Sequence, residues 1–301
     1  MEKSPIFSII IPAFKMDRYI GEALSSVGMQ SCQNWEVIVV DDCGPEDGTE
    51  AIVIEFAKAH PDHRVEFIRH EKNTGVSGAR NTAMAASKGE IIAFLDPDDA
   101  WMPTYLERMR DCLKDADICA AGATRVDEHG QSLGSYTFGT APHRIRDFPH
   151  SLARACFFNP SFTVIRRKVY ESLGGYDMAP EIQHAEDWDY WLRALAEGFR
   201  FHFIEDELCL YREHGGAATS NFLRMSNVCA ECLRRNIPRH QGEIRKILKQ
   251  SLYEELRRLA HVRKMNHKKN WFSPLLEAIS IFPFRIGAYK RVLRLCFTSI
   301  K

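Results

Sequence analysis

Several things are missing from this 301-residue chain, and each absence narrows what it can be. No stretch reaches the ~18 consecutive apolar residues of a membrane-crossing helix, so none is predicted. The early apolar run Phe7–Ile11 is too short for the core of a signal peptide and runs straight into Pro12. No G-x-x-x-x-G-K-[ST] segment exists, which excludes a P-loop NTPase. Internal repeats and low-complexity tracts are absent too. The nine cysteines are odd in number and scattered without a disulfide-like framework. That distribution predicts a reducing, cytoplasmic setting. Cys229 and Cys232 form a C-x-x-C, but it sits in a helical pattern with no second pair. Idle or buried thiols explain it better than zinc or redox chemistry.

Net charge is also absent: 40 Lys+Arg balance 40 Asp+Glu. The balance is uneven along the chain, however. Residues 1–221 carry 22 Lys+Arg against 35 Asp+Glu, whereas residues 222–301 carry 18 against 5. Such asymmetry points to two parts with different tasks. The expected division is a domain over residues 1–220 and a basic helical region over 221–301.

What is present is an alternation of strands and helices. Ile6–Ile11, Trp35–Val40, Val65–Arg69 and Ile91–Leu95 read as strands. Residues 17–30, 49–59 and 77–87 read as the helices between them, the last closed by Gly89. This spacing indicates βαβ units, hence an α/β fold with a mostly parallel sheet flanked by helices. Right-handed crossovers then bring the loops after Ile11, Val40 and Leu95 to one edge, where open α/β sheets bind ligands. Farther on, 117–121 and 161–166 look like strands and 130–150 like a loop over the site. A helix covers 186–195, 201–204 and 208–212 are strand-like, and helices follow from about 221.

The chemistry gathers at strand ends. Gly89–Pro103 reads GEIIAFLDPDDAWMP: a buried strand stopped by Pro97, with Asp96, Asp98 and Asp99 just beyond it. Carboxylates this close repel unless a cation or donors sit among them. A hard divalent ion that also carries phosphates resolves this, while Asp99 caps or braces locally; the plainer reading is an acidic helix cap. Asp41 ends the second strand, where it either accepts from a base or ribose or caps the next turn. Arg80 opens a helix, suited to a phosphate or to pairing with a strand-end aspartate. Asp187 and Asp189 start a helix and project about 200° apart, so they do not share a role. Asp187 is better placed to reach a substrate, and its plain alternative is an N-cap. His214 lies between a strand and a Gly-Gly turn, in a loop able to swing over a metal-diphosphate.

Six motifs in order then resemble glycosyltransferase family 2 over about residues 5–220. They are Ser8–Phe14, Val39–Asp42, Gly75 with Arg80-Asn81, Phe94–Asp99, Glu186–Asp189, and Tyr211-Arg212-x-His214. The resemblance implies an inverting enzyme of the GT-A fold, with Rossmann-like topology and a C-terminal helical appendage. It implies that Pro12, Ala13, Phe14 and Asp41 hold uracil and ribose, and that Asp96 contacts the ribose or a metal-bound water. Asp98 would coordinate Mg²⁺ or Mn²⁺, His214 would close over the metal or diphosphate, and Asp187 would be the general base. One departure is Cys43-Gly44-Pro45, where relatives usually carry Gly-Ser; it alters a turn and removes no ligand. The implied partners are a nucleotide-sugar donor and a glycan or lipid-linked acceptor.

Residues 268–301 interleave aromatic and basic residues, as an interfacial helix on an anionic leaflet would, which suits a peripheral position on the inner face of a membrane. Docking on the acidic domain or a dimer contact are the alternatives. No nucleic-acid reading motif accompanies the charge. Two other readings compete with the transferase. A nucleotidyltransferase-like enzyme would want a Gly-rich, basic phosphate loop after the first strand, where Pro12–Lys15 stands. A catalytically silent nucleotide-sugar or glycan-binding module would have no need of Asp98, Asp187 and His214 together.

Overall fold

In a computed structural model, which describes residues 5–136, 142–213, 222–266 and 270–282, the first four strands lie side by side. They are β1 (Phe7–Ala13), β2 (Trp35–Asp41), β3 (Val65–Arg69) and β4 (Ile91–Phe94). Helices α1 (Ile20–Gly28), α2 (Thr49–Ala59) and α3 (Gly75–Ala86) connect them. All pairings in the order β3-β2-β1-β4 are parallel. Every residue of β1 and β2 is buried, as continuous apolar runs require when helices cover both faces. α1 buries Ile20, Ala23, Leu24 and Val27, one stripe at helical spacing.

Past β4 the sheet becomes mixed. The next elements are β5 (Ala100–Trp101), α4 (Tyr105–Cys112), β6 (Ile118–Val126), β7 (Ser132–Tyr136), α5 (Pro142–Arg146) and α6 (His150–Arg154). Then come β8 (Thr163–Arg166), α7 (Arg167–Leu173), α8 (Glu186–Ala196) and β9 (Phe201–Arg212). β8 runs antiparallel between β4 and β6, β9 runs parallel to β6, and β5 runs antiparallel to β9. The described chain ends in α9 (Phe222–Asn236), α10 (Gly242–Met265) and α11 (Ser273–Ile281).

The chain forms two compact units. The first comprises Met1–Phe148, Phe157–Met178 and Arg193–Ala217, and holds the nine described strands. The second comprises Pro149–Cys156, Ala179–Leu192 and Ala218–Lys301. Its core is apolar residues of the late helices, among them Val228, Leu233, Leu248, Leu252, Leu256 and Leu259. Buried Asn236 ties this unit together, donating to Asp189 Oδ1 at 2.8 Å and to the Cys232 carbonyl at 2.9 Å. Among the described residues no helix is long and apolar enough to cross a membrane.

Four local expectations change. Within 130–150, β7 pairs with β6 and α5 follows, so this stretch is not one loop. Residues 201–212 form one strand rather than two. The polar 205–207 segment that suggested a break is where the β6–β9 register shifts, and Gly122 lies against it. A Cβ on Gly122 would come within 2.9 Å of the Glu205 carbonyl oxygen. Gly89 does not close α3, which ends at Ala86. A Cβ there would sit 2.7 Å from the backbone of Phe7 and Ser8, so close packing on β1 is what needs glycine. Lastly, Cys112 and Cys119 are joined as a disulfide between α4 and β6, with Cα atoms 6.3 Å apart. The tight α4–β6 connection brings them together. By contrast, Cys229 and Cys232 are free thiols on α9, and burial pushes Cys229 up to about 12.

Candidate active site

The carboxyl ends of β1, β2 and β4 meet along one rim of the first unit. Ala13 is in register with Asp41, and Asp41 with Arg69. Ile10 is in register with Phe94, and the Leu95 amide donates to the Ile10 carbonyl at 3.0 Å. Pro12, Ala13, Phe14, Asp41 and Asp96 therefore lie on the edge where the strand-end loops were expected to converge.

Asp41 is buried and closes the turn after β2. Its Oδ1 accepts from the Gly44 amide at 2.9 Å, and its Oδ2 lies 3.5 Å from Arg69 Nη1. Arg69 also donates to the Gly44 carbonyl at 2.7 Å. A Cβ on Gly44 would stand 2.9 Å from Asp41 Oδ1 and 3.7 Å from the Phe14 ring. Gly44 thus lets Asp41 and Phe14 lie next to each other. Phe14 is 39% exposed despite its size. Lys15 Nζ lies 5.2 Å from the centre of this ring. An exposed aromatic ring beside a buried carboxylate can stack a planar heterocycle on its other face, and the carboxylate can accept from its N–H.

The neighbouring Asp42 does different work. Its Oδ1 accepts from the Thr74 amide and hydroxyl, both at 2.8 Å, and its Oδ2 from the Gly75 amide at 2.7 Å. His70 Nδ1 lies 2.7 Å from the same carboxylate. Burial works against the charge on Asp42, but these donors outweigh it and hold the carboxyl below its usual value. Asp42 thereby anchors the start of α3, the helix that carries Arg80.

Arg80 is buried and its Nη2 meets Asp96 Oδ1 at 2.7 Å, so the pairing alternative is realised. The guanidinium also lies 5.5 Å from the centre of the Tyr176 ring. The Asp96 amide donates to Ser161 Oγ at 3.0 Å, which fixes the turn into Pro97. Asp98 is partly exposed and Asp99 is buried. Burial and the charges of Asp98 and Asp96 push the Asp99 carboxyl well above its usual value. Asp99 braces the site over a long range, because its Oδ1 accepts from the Arg212 amide at 3.0 Å.

Arg212 binds these parts together. From the end of β9, its Nε donates to the Asp98 carbonyl at 3.0 Å and its Nη1 to the Asp127 carbonyl at 3.1 Å. Its Nη2 meets Glu22 Oε2 on α1 at 2.6 Å. His214, two residues on, lies outside the described residues. Among the described residues, no group of three or more His, Cys, Asp or Glu is placed to hold a metal ion. Asp96 and Asp98 nonetheless supply hard oxygen donors, and their charge on buried Asp99 is what a cation would relieve. This donor chemistry is the kind that a hard divalent ion takes.

Asp187 belongs to the second unit, in the first turn of α8. Its Oδ1 accepts from the Trp188 amide at 2.7 Å, and Cys156 Sγ lies 3.6 Å from its Oδ2. It lines a cavity of about 580 Å³. Asp189 instead is buried between Asn236 and Arg239, 2.8 and 3.6 Å away. The two aspartates therefore have different surroundings.

Sequence reading assigned nothing to Arg69, His70 or Arg212, which hold Asp41, Asp42 and the Asp98–Asp99 turn. No local pattern marks the first two; they become visible only through the β2–β3 register. Arg212 did sit beside the predicted His214, a hint of position but not of role.

The glycosyl transferase family 2 model matches residues 8–174. TuaG of Bacillus subtilis, named for teichuronic acid biosynthesis, is 31% identical over 72% of this chain and 82% of its own length. The Escherichia coli protein WfgD, named UDP-Glc:alpha-D-GlcNAc-diphosphoundecaprenol beta-1,3-glucosyltransferase, is 31% identical over 64% of this chain and 70% of its own. Among solved structures, S. aureus TarS 1-349 in complex with UDP-GlcNAc aligns with TM-score 0.69 at 22% identity, covering 94% of this chain and 83% of TarS. The mannosyltransferase PcManGT from Pyrobaculum calidifontis, in complex with GDP-Man and Mn²⁺, aligns with TM-score 0.65 at 19% identity, covering 95% and 84%. These likenesses give the GT-A fold, and the family match sets aside the nucleotidyltransferase and silent-module readings. The chain belongs to glycosyl transferase family 2 and is a glycosyltransferase.

Proposed function

We propose that this enzyme moves a sugar from a UDP-sugar to an acceptor hydroxyl, with inversion, in the synthesis of cell-surface polysaccharide or glycolipid. The observation that carries the proposal is the single rim: Ala13 in register with Asp41, and Asp96 paired with Arg80 at its edge. The names of TuaG and WfgD support the polymer and glycolipid setting, and the UDP-GlcNAc bound to TarS supports the donor class. Residues 1–220 serve as the catalytic part in this proposal, and the basic region 221–301 as an appendage that helps select the acceptor or the surface.

Pro12, Ala13, Phe14 and Asp41 hold the uridine. The closed turn at Gly44 fixes and aims the Asp41 carboxyl, so it accepts from the base or ribose. Asp96 contacts the ribose or a metal-bound water, and Arg80, fixed by that carboxylate, offsets charge that develops on the leaving group. Asp98 and His214 would hold Mg²⁺ or Mn²⁺, as suggested by the Mn²⁺ in PcManGT. When bound, the ion neutralises the departing diphosphate. Asp187 accepts the acceptor hydroxyl's proton as the oxygen attacks the anomeric carbon. General-base assistance of this kind contributes roughly 10²–10⁴ in rate.

Calorimetry with UDP and Mn²⁺ tests the donor assignment: Asp98→Ala should lose metal-dependent UDP binding, and wild-type affinity would remove the metal role. Asp187→Asn should bind UDP normally while turnover of UDP-sugar collapses. Retained turnover would place the base elsewhere.

A further inference from the structure

The cavity beside Asp187 is built almost entirely from chain that lies beyond the family match. Apart from residues 154–156 at the end of α6, every lining residue follows residue 174, and all belong to the second unit. Its volume, about 580 Å³, lies within the range of small-ligand sites and exceeds one sugar ring. The wall is mixed. Trp188 and Met225 present apolar surface, while Gln250 and Ser251 from α10 bring polar groups. This is the lining that a polyhydroxylated ligand needs: faces for its C–H surfaces and paired donors and acceptors for its hydroxyls.

The charges in the wall are what discriminate. Three carboxylates line it, Asp187, Glu254 and Glu255, against two guanidiniums, Arg154 and Arg258. Glu255 is buried and meets Arg258 at 2.6 Å, and Gln250 donates to Glu254 at 2.8 Å. The acids are thus held in place by the helix that bears them. His184 also lines the cavity, and burial together with nearby Arg224 holds its pKa below the usual value, so it adds no positive charge at neutral pH. It occupies φ 82°, a conformation rare outside glycine, with its amide donating to Glu186 at 2.5 Å. Backbone held in such a state is typical of ligand sites. Among the described residues that line it, the wall therefore carries an excess of one negative charge.

We infer that this cavity is the acceptor subsite and that it takes a neutral sugar residue, one with no phosphate on the ring. The inference rests on the proposed role of Asp187 and adds the acceptor's chemical class. The hydroxyl to be glycosylated lies at Asp187, and α10 selects the ring that bears it. A sugar carrying an anomeric phosphate brings up to two negative charges toward three carboxylates, and the wall disfavours it.

Saturation-transfer NMR on the full chain with matched pairs of sugars tests this. The pairs are methyl β-D-glucoside against glucose 1-phosphate, and methyl N-acetyl-β-D-glucosaminide against N-acetylglucosamine 1-phosphate. At least one neutral glycoside should bind, and more tightly than its phosphate by roughly five-fold at low salt. Ser251→Trp fills the cavity and should weaken that glycoside ten-fold or more; Gln250→Trp serves if the first variant loses its cooperative unfolding. Glu255→Gln should narrow the gap between neutral and phosphorylated sugars. Equal or tighter binding of the phosphates, no binding of either glycoside, or full binding in the filled variant would each overturn the inference. Titration of UDP on the same samples separates the two proposals. Failure of UDP to bind would refute the donor assignment, and the glycoside result would still decide what the cavity takes.

Discussion

Replacing Arg212 with methionine removes one guanidinium from the place where β9, α1 and the Asp98–Asp99 turn are joined. The side chain is 3% exposed, so methionine of similar length fills most of its volume. The backbone bond from Arg212 to Asp99 survives, which isolates the side chain's contribution. The contact with Glu22 adds little, because Glu22 is 52% exposed and regains water, worth about 0–1 kcal/mol. The bonds to the Asp98 and Asp127 carbonyls matter more. Hydrogen bonds from charged donors are each worth about 1.5 kcal/mol or more, and both half-buried acceptors lose their guanidinium partner. The expected loss is about 2–4 kcal/mol, read as a lower urea midpoint at constant slope. Calorimetry on the same variant should show weaker binding of UDP with Mn²⁺, since the turn that carries Asp98 loses its tie. A loss under about 1 kcal/mol with unchanged UDP affinity would refute Arg212 as the tie of this site.

Gly89→Ala should cost about 1–3 kcal/mol or more by urea denaturation, since the new methyl meets the rigid backbone of β1 at 2.7 Å. Glu36 is buried, which opposes its charge, but Ser8, the Lys88 amide and Arg64 outweigh this and hold its folded pKa below 4.5. A depressed carboxylate contributes stability above its unfolded pKa and loses it as pH falls through the folded value. Urea midpoints should therefore fall as pH drops below about 4.5, and Glu36→Gln should flatten that limb; an unchanged slope would sink the assignment. Deleting residues 268–301 should reduce flotation with anionic liposomes, most strongly at low salt. Equal flotation of the two chains would remove the membrane proposal for that tail.

The first four strands were legible because continuous apolar runs between amphipathic helices leave few other solutions. That their carboxyl ends share one edge followed from crossover handedness, whereas the order β3-β2-β1-β4 came only from the structure. Mixed pairing beyond β4 was not legible, since short strands such as Thr163–Arg166 read alike in either direction. At the site, Asp41, Asp96 and Asp98 were visible as carboxylates that interrupt buried strands, a costly pattern that local packing does not ask for. The division of labour between Asp41 and Asp42 was invisible, since adjacent identical residues differ only in what faces them. By itself the sequence determined the family, the α/β class and the rim, because apolar periodicity and strand-end acids are local properties of the chain. Only the tertiary structure decided that Arg212 ties the acidic turn and that Asp187 opens on a cavity walled by α10, because those contacts join residues far apart in the chain that no local pattern links.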